Sequence, residues 1–216
     1  MINYSYTLGV LALGCVVGYG FGRLRSRLFQ NQGEALVARA LKANFQSPDY
    51  HLLNHITLRI KGGTTQIDHI LVSRFGVFVI ETKAYKGWIF ASSKHAKWTQ
   101  VLFGAKFKFP NPIAQNKLHT RTVEELLDFL TPTAIKSVVV FAGQGEFKTA
   151  KPDGVFSVSE LVVHVRECTD EILSINRVQF CVGRLETARL EITGQTDLEH
   201  VNYLRRRHRL EGDGGP

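Results

Sequence analysis

Two apolar segments separated by a short turn constrain this sequence most. Ile67–Ser73 and Val77–Thr82 are rich in β-branched side chains, and Arg74-Phe75-Gly76 separates them. A gap of this length that contains glycine is typical of a β-hairpin. The sequence therefore predicts a strand, a tight turn and a second, antiparallel strand at the centre of the fold.

Three ionisable side chains lie within these apolar strands: Asp68 in the first, and Glu81 and Lys83 in the second. Side chains alternate along a strand, so Glu81 and Lys83 share one face, and an antiparallel partner can bring Asp68 beside them. Buried charges are costly unless they pair with one another or bind a cation. The pattern favours a clustered metal site. The alternative is that Glu81 and Lys83 face solvent at a strand end and that Asp68 begins a turn.

The residues around these three side chains resemble the core of a known family. Gln66–Ile70 and Gly76–Lys83 are similar to the core of the NERD (nuclease-related) domain, which is related to the restriction-endonuclease-like superfamily with its acid followed by acid-x-Lys. Ile67 stands where the literal superfamily motif has proline. The resemblance implies an α/β fold with a mixed central sheet flanked by helices. It also implies a nuclease that hydrolyses phosphodiester bonds, with DNA rather than RNA as its substrate.

The resemblance assigns roles to five residues. Asp68 and Glu81, with Glu34 on the first helix as an additional acid, would hold Mg²⁺, or Mn²⁺ in its place. Lys83 would position or activate the attacking water, or stabilise charge in the transition state. Gln115 would lie near these catalytic residues. Apart from the resemblance, Glu34 is an acid that favours a helix N-terminus, and Gln115 is an ordinary surface residue.

Cationic and aromatic side chains alternate from Lys83 to Phe109. This interleaving suits a nucleic-acid groove, in which ammonium groups contact phosphates and rings stack on bases. A twisted hairpin with aromatic residues inward and lysines outward gives the same pattern, and the two can coexist. His69 is a secondary candidate for contacting metal or phosphate, or else a hydrogen-bonded structural residue. The predicted nucleic-acid-binding residues are Lys86, Lys94, Lys97, Lys106, Lys108 and Lys117.

The N-terminal segment Ile2–Gly22 contains no formally charged residue. A helix of about 20 apolar residues crosses the hydrocarbon layer of a membrane. Arg23, Arg25 and Arg27 follow, and cations beside a span favour the cytoplasmic side. We expect a single-pass anchor in an inner or plasma membrane, with the N-terminus outside and the nuclease domain cytoplasmic. A buried helix of the soluble core is the alternative.

Three glycines of this segment, Gly14, Gly18 and Gly22, recur every four residues. They would line one face of a helix and permit close pairing with a second copy. Whether the chain forms a homodimer through this face stays open.

Composition limits the remaining possibilities. The 216 residues, 44% of them hydrophobic, can bury one sizeable core. A formal charge of +8 suits a polyanionic partner or an anionic membrane surface. Cys15, Cys168 and Cys181 follow no metal-ligand spacing and predict no disulfide framework, which indicates a reducing compartment for the domain.

The rest of the pattern completes one domain. We predict an anchor and basic juxtamembrane segment over 1–29, a nuclease-related domain over 30–210 and a disordered tail over 211–216. The basic run Arg205–Arg209 is solvated or contacts nucleic acid or anionic lipid. The other predicted elements are helices over Asn31–Phe45 and from Asn111-Pro112 to about Leu130, strands over Tyr50–Ile60, Ile135–Ala142 and Val155–Val158, helices from Ser159 and from Thr169, and a polar helix over Asp197–Leu210.

Two other functions fit the same residues. A non-catalytic module that holds nucleic acid near the membrane predicts binding that survives Asp68→Ala. A membrane-tethered scaffold predicts that Asp68, Glu81 and Lys83 form a structural ion network, so that replacing them unfolds the domain.

Overall fold

The computed structural model describes residues 30–190, which form two β-sheets with helices packed around them. The helices are α1 (residues 30–44), α2 (Pro112–Leu126), α3 (Val158–Glu167) and α4 (Ile175–Ala188), with a 3₁₀ turn at Pro132–Ala134. The strands are β1 (Tyr50–Ile60), β2 (Gly63–Ser73), β3 (Gly76–Lys83), β4 (Gly87–Phe90), β5 (Lys97–Leu102), β6 (Ala105–Pro110), β7 (Ile135–Phe141), β8 (Gly145–Phe147) and β9 (Val155–Ser157).

Several predictions concern residues outside this range. The anchor Ile2–Gly22 with its three glycines, the helix Asp197–Leu210 and the tail 211–216 lie outside the described residues. Between residues 30 and 190, none of the helices combines the length and the apolar character that a membrane span requires.

The large sheet has the strand order β1-β2-β3-β7-β9. β1, β2 and β3 form an antiparallel meander, whereas β7 lies parallel to β3 and β9 parallel to β7. The predicted central hairpin is confirmed, and Ser73 pairs with Gly76 at its turn. The Ser73 hydroxyl closes this turn by donating to the Gly76 carbonyl at 2.8 Å. Gly76 has a φ of 134°, which favours glycine at this position.

β3 lies at the centre of the large sheet and is covered on both faces. Val77 and Val79 pack with α2 and α4, and Phe78 and Ile80 pack with α1 and α3. Burial on both faces explains the near-continuous apolar run that made this strand recognisable in the sequence. It also means that the polar residues at the end of β3 belong to a strand that is buried over almost its whole length.

The small sheet has the order β6-β5-β4-β8. The twisted hairpin predicted in this range is confirmed by β5 and β6, but a separate four-stranded sheet was not predicted. Its inner face, with Ile89, Trp98 and Phe109, packs against the end of β7. The expectation of lysines outward and aromatic residues inward is only partly right. Trp88 and Phe90 point outward and are 50% and 39% exposed, because they flank the buried Ile89 in an alternating strand.

Two helix bounds differ from the sequence prediction by more than one residue. α2 ends at Leu126 rather than near Leu130. The helix predicted from Thr169 begins only at Ile175, because the Ser174 side chain accepts a hydrogen bond from the Arg177 N–H and forms its N-cap. The preceding residues are held in another way, since the N–H groups of Ile172 and Leu173 both donate to the Arg74 carbonyl.

Candidate active site

Asp68 lies at the point where β2 and β3 separate. The two strands pair from His69 opposite Ile80 to Ser73 opposite Gly76. Just beyond this ladder, Oδ2 of Asp68 accepts a hydrogen bond of 2.7 Å from the backbone N–H of Thr82. The carboxylate therefore accepts from an N–H group of β3 that would bond to the backbone of β2 if the ladder continued.

Glu81 and Lys83 occupy the end of β3 and face α2, as their spacing predicted. Nζ of Lys83 lies 2.5 Å from Oε1 of Glu81 and 3.1 Å from Oε1 of Gln115 on α2. The side chain of Glu81 is only 3% exposed and that of Lys83 15% exposed. The alternative of a solvated strand end is therefore wrong for both residues.

His119 completes this side of the cluster and was missed in the sequence. Its Nε2 lies 3.2 Å from Oε2 of Glu81, and its Nδ1 lies 2.8 Å from the hydroxyl of Thr65 on β2. The available signal was its spacing, because His119 follows Gln115 by one helical turn and shares its helix face. Asn116 is buried beside it and donates to the carbonyls of Val79 and Val138, which fixes α2 to β3 and β7.

Glu34 approaches the end of β3 from α1. Its Oε1 accepts a hydrogen bond of 2.9 Å from Nε2 of Gln30, and Nδ1 of His55 lies 3.6 Å from its Oε2. The Gln30 amide also donates to the Thr82 carbonyl at 2.7 Å and accepts from the Ala84 N–H at 3.2 Å. Gln30, which the sequence analysis missed, thus ties α1 to the end of β3 and orients Glu34.

A cleft of about 480 Å³ opens beside the two acids Glu34 and Asp68. It also contains side chains from α1, β1 and β2: Asn31, Ala35, Ala38, His55, Thr57 and Gln66. A cavity of about 560 Å³ lies elsewhere, between α3 and the segment from Lys151 to Phe156, and contains none of the predicted site residues. Of the predicted site residues, Glu34 and Asp68 line this cleft, whereas Glu81 and Lys83 do not.

The charges of Asp68, Glu81 and Lys83 do not balance one another. Burial, together with the charges of Glu81 and Glu34, raises the pKa of Asp68 well above its usual value. Burial also acts to raise the pKa of Glu81, but Lys83 and His119 outweigh it, so the pKa of Glu81 is lowered. Burial acts to lower the pKa of Lys83, and the charge of Glu81 outweighs it, so that pKa is raised. Lys83 and Glu81 thus neutralise each other and leave Asp68 without an equal counter-charge.

The donor set is compatible with a hard divalent cation. Between residues 30 and 190, no group of three or more His, Cys, Asp or Glu side chains is arranged so that it could hold a metal ion. However, Oε2 of Glu81 is buried, and its 3.2 Å contact with Nε2 of His119 is not aligned as a hydrogen bond. The neighbouring groups also oppose the ionisation of Asp68. Added positive charge between Oε2 of Glu81 and the Asp68 carboxylate would therefore be stabilising. Asp68 and Glu81 are therefore the two acids that could share a metal, and Glu34 does not complete a group of three with them.

The remaining candidates fall into two groups. His69 is fully buried, its Nδ1 lies 2.7 Å from Oδ1 of Asn54, and burial lowers its pKa to about 4. These properties favour the structural alternative for His69. The six predicted nucleic-acid-binding lysines are all exposed, on and around the small sheet and on the outer side of α2: Lys86, Lys94, Lys97, Lys106, Lys108 and Lys117.

The mixed α/β fold, with two sheets flanked by helices, is consistent with the restriction-endonuclease-like class. Comparison with protein families gives a match to the nuclease-related domain, NERD, over residues 30–142. The chain is also 34% identical over 177 residues to an uncharacterized protein of Bacillus anthracis, covering 80% of this chain and 82% of that protein. The chain belongs to the NERD family. The matched range extends from α1 through β7 and contains every predicted site residue.

Proposed function

We propose that this chain is a metal-dependent nuclease that hydrolyses phosphodiester bonds in DNA rather than RNA, with Mg²⁺ or Mn²⁺ as its cofactor. The observation that carries the proposal is the junction of Asp68, Glu81 and Lys83 at the buried end of β3, within a nuclease-related domain. A structural role alone gives no reason to bury an acid whose ionisation its neighbours oppose.

Asp68 and Glu81 supply carboxylate oxygens for the cation, and Glu34 adds a third carboxylate from α1. When bound, the cation supplies a Lewis acid that polarises the phosphodiester and lowers the pKa of a bound water. Lys83 acts as a charged donor towards the phosphate rather than as a base, because its pKa is raised and it keeps its proton. Gln115 holds the Lys83 ammonium group in place through the 3.1 Å contact.

The proposal includes attachment to an inner or plasma membrane through residues 2–22, with the N-terminus outside and the domain cytoplasmic. It rests on the uncharged segment and the arginines that follow it. The repeated glycines, Gly14, Gly18 and Gly22, would permit two anchors to pair as a homodimer.

A non-catalytic nucleic-acid-binding or scaffolding module is the second candidate. The observation that favours it is the close pair of Lys83 with Glu81, which already satisfies one carboxylate oxygen without a metal. This candidate predicts that nucleic acid binds without Mg²⁺-dependent strand cleavage and that the charged residues serve folding alone.

Strand cleavage by the full-length chain decides between the two candidates. The protein, purified in a mild detergent, is incubated with supercoiled plasmid, with RNA and with either Mg²⁺ or a chelator. We expect Mg²⁺-dependent conversion of plasmid to nicked or linear DNA, and its loss in Lys83→Ala. Lys42→Ala, which removes an exposed lysine of α1, is the matched control and should keep full activity. Absence of metal-dependent cleavage of DNA would contradict the proposal.

A further inference from the structure

The outer face of the small sheet carries large aromatic side chains in solvent. Trp88 and Phe90 lie on β4 and are 50% and 39% exposed, while Ile89 between them is fully buried. Exposing two large apolar residues on one short strand is unfavourable unless something binds them. Between residues 30 and 190, helices α2, α3 and α4 make their main contacts with strands of the large sheet, and Trp88 and Phe90 remain largely uncovered by the described elements.

Strand register places cationic residues beside these rings. Trp88 pairs with Val101 and Phe90 with Thr99 on β5, and these two residues pair in turn with Lys106 and Lys108 on β6. Paired residues share a face of a sheet, so Trp88, Phe90 and the two lysines form one surface. Lys97 alternates in phase with Thr99 and belongs to the same face.

Lys148, the residue that follows β8, adds another cation. Nζ of Lys148 lies 5.0 Å from the centroid of the Trp88 ring, and it also pairs with Glu146 at 2.5 Å. The outer face therefore contains four lysines and one glutamate around two exposed rings. This combination is complementary to a phosphate backbone that carries unstacked bases. It does not suit the apolar surface of a second protein, which would have to desolvate the lysines.

A short segment of chain joins the end of β3, with Glu81 and Lys83, to the outer face. Trp88 follows Lys83 by five residues, so a fully extended chain could separate their Cα atoms by no more than about 18 Å. Tyr85 lies between them and packs on Phe109 of the small sheet, with ring centroids 4.3 Å apart. A nucleic-acid strand bound at Asp68, Glu81 and Lys83 can therefore reach the rings of Trp88 and Phe90 within a few nucleotides.

We propose that the outer face of the small sheet binds unpaired bases of a single-stranded nucleic acid, which stack on Trp88 and Phe90 while Lys106 and Lys108 contact the phosphates. The inference rests on the proposed function, since it places a single-stranded segment of the substrate beside the site of hydrolysis. Duplex ends, gaps or displaced strands are the substrates that provide such a segment.

The two tryptophans of the chain make a direct test possible. Trp98 is 1% exposed and packed in the core, so a change in tryptophan fluorescence on binding reports Trp88. The full-length protein is titrated with oligothymidylate of roughly 12 nucleotides, a length within the site size of single-strand-binding surfaces. A chelator is present throughout to prevent cleavage. We expect quenching by this oligomer and little quenching by a duplex of the same length.

Three variants separate stacking from charge. Trp88→Ala should weaken binding of a dye-labelled oligomer roughly 5- to 150-fold, the range for losing one base stack. Trp88→Phe keeps a ring and should retain most of the affinity while losing the fluorescence change. Lys106→Glu should weaken binding and reduce its salt dependence, whereas Lys42→Glu on α1 should have little effect.

Each contrary result has a distinct meaning. Equal affinity of Trp88→Ala and the parent protein would overturn the inference, as would equal quenching by duplex and single strand. Resistance of Trp88 to acrylamide in the free protein would show that another part of the chain covers the face, and would also contradict it. Stacking on Trp88 without metal-dependent cleavage by the parent protein would remove the nuclease proposal but leave this binding site in place.

Discussion

The carboxylate of Asp68 accepts a hydrogen bond of 2.7 Å from the backbone N–H of Thr82 where β2 and β3 stop pairing. This one bond holds an acid beside Glu81 at the end of a buried strand, although burial and the neighbouring acids raise the pKa of Asp68. The fold therefore maintains an arrangement of charge that is unfavourable in the absence of a cation. Such local cost is typical of functional sites.

The close contact of α1 with Ala84, just after β3, predicts that replacing Gly33 lowers both stability and activity. A Cβ at Gly33 would lie 2.6 Å from the Cβ of Ala84, so Gly33→Ala must displace α1 and with it Glu34 and Gln30. We expect a stability loss of about 1–3 kcal/mol, as in other overpacked contacts, and a larger loss of cleavage activity. Chemical denaturation and plasmid cleavage measure the two effects.

Gly183 on α4 is the matched control for this substitution. A Cβ added there meets no atom within 4 Å, so Gly183→Ala should stabilise the helix by about 0.5–1 kcal/mol and leave cleavage unchanged. Equal behaviour of the two glycine variants would show that the contact of α1 with Ala84 does not position the site.

Gln115 should affect catalysis more than stability. Gln115→Ala removes one hydrogen bond to Lys83 but leaves the pair of Lys83 with Glu81, so the stability loss should be about 0.5–1.5 kcal/mol. A Lys83 ammonium group that is free to move should slow cleavage on the order of 10- to 100-fold. Single-turnover cleavage by Gln115→Ala and by Gln46→Ala, an exposed glutamine, tests this difference. An undiminished rate in Gln115→Ala would remove Gln115 from the site.

The buried His69 predicts a loss of stability in mild acid. Burial lowers the pKa of His69 to about 4, so the folded state resists a proton that the unfolded chain accepts near pH 6.5. The free energy of unfolding should therefore fall as the pH decreases from about 6.5 to about 4, by up to about 3 kcal/mol from this group. Denaturant titrations across this pH range should show a flatter profile for His69→Gln. His95→Gln, at an exposed position, should reproduce the parent profile, and a flattened profile in that variant would contradict the assignment.

The strands of the large sheet and the clustering of Asp68, Glu81 and Lys83 could be predicted from local patterns, whereas the roles of Glu34 and Gln115 came only from the family resemblance. β1 begins and ends where its apolar pattern does, at Tyr50 and Ile60, and the hairpin follows from β-branched runs around a glycine turn. Antiparallel pairing then places Asp68 near Glu81, because residues close to a hairpin turn have their partners fixed by it.

The missed features depend on contacts that are distant in sequence. The small sheet requires Gly87 on β4 to pair with Gly145 on β8, across a long stretch that includes α2 and β7. The outward direction of Trp88 could not be known before Ile89 was found to be buried against β7. The role of Gln30 likewise depends on where α1 docks, whereas His119 was accessible from its spacing to Gln115.

Replacing Asp68 should separate stability from activity. At neutral pH the unfolded Asp68 is ionised, while the folded state must either hold a buried charge or bind a proton, and both are unfavourable because the pKa is raised. Asp68→Asn keeps an oxygen that can accept from the Thr82 N–H and removes this cost. We expect a higher melting temperature than that of the parent protein in the presence of a chelator. Asp128→Asn, at an exposed position of the chain, should leave the melting temperature unchanged.

Strand cleavage by Asp68→Asn tests the central claim most directly, because this variant is expected to be folded at least as well as the parent protein. The account predicts that Mg²⁺-dependent plasmid cleavage falls on the order of 1,000-fold in Asp68→Asn and persists in Asp128→Asn. Cleavage by Asp68→Asn at the rate of the parent protein would show that this acid has no part in the reaction and would contradict the account.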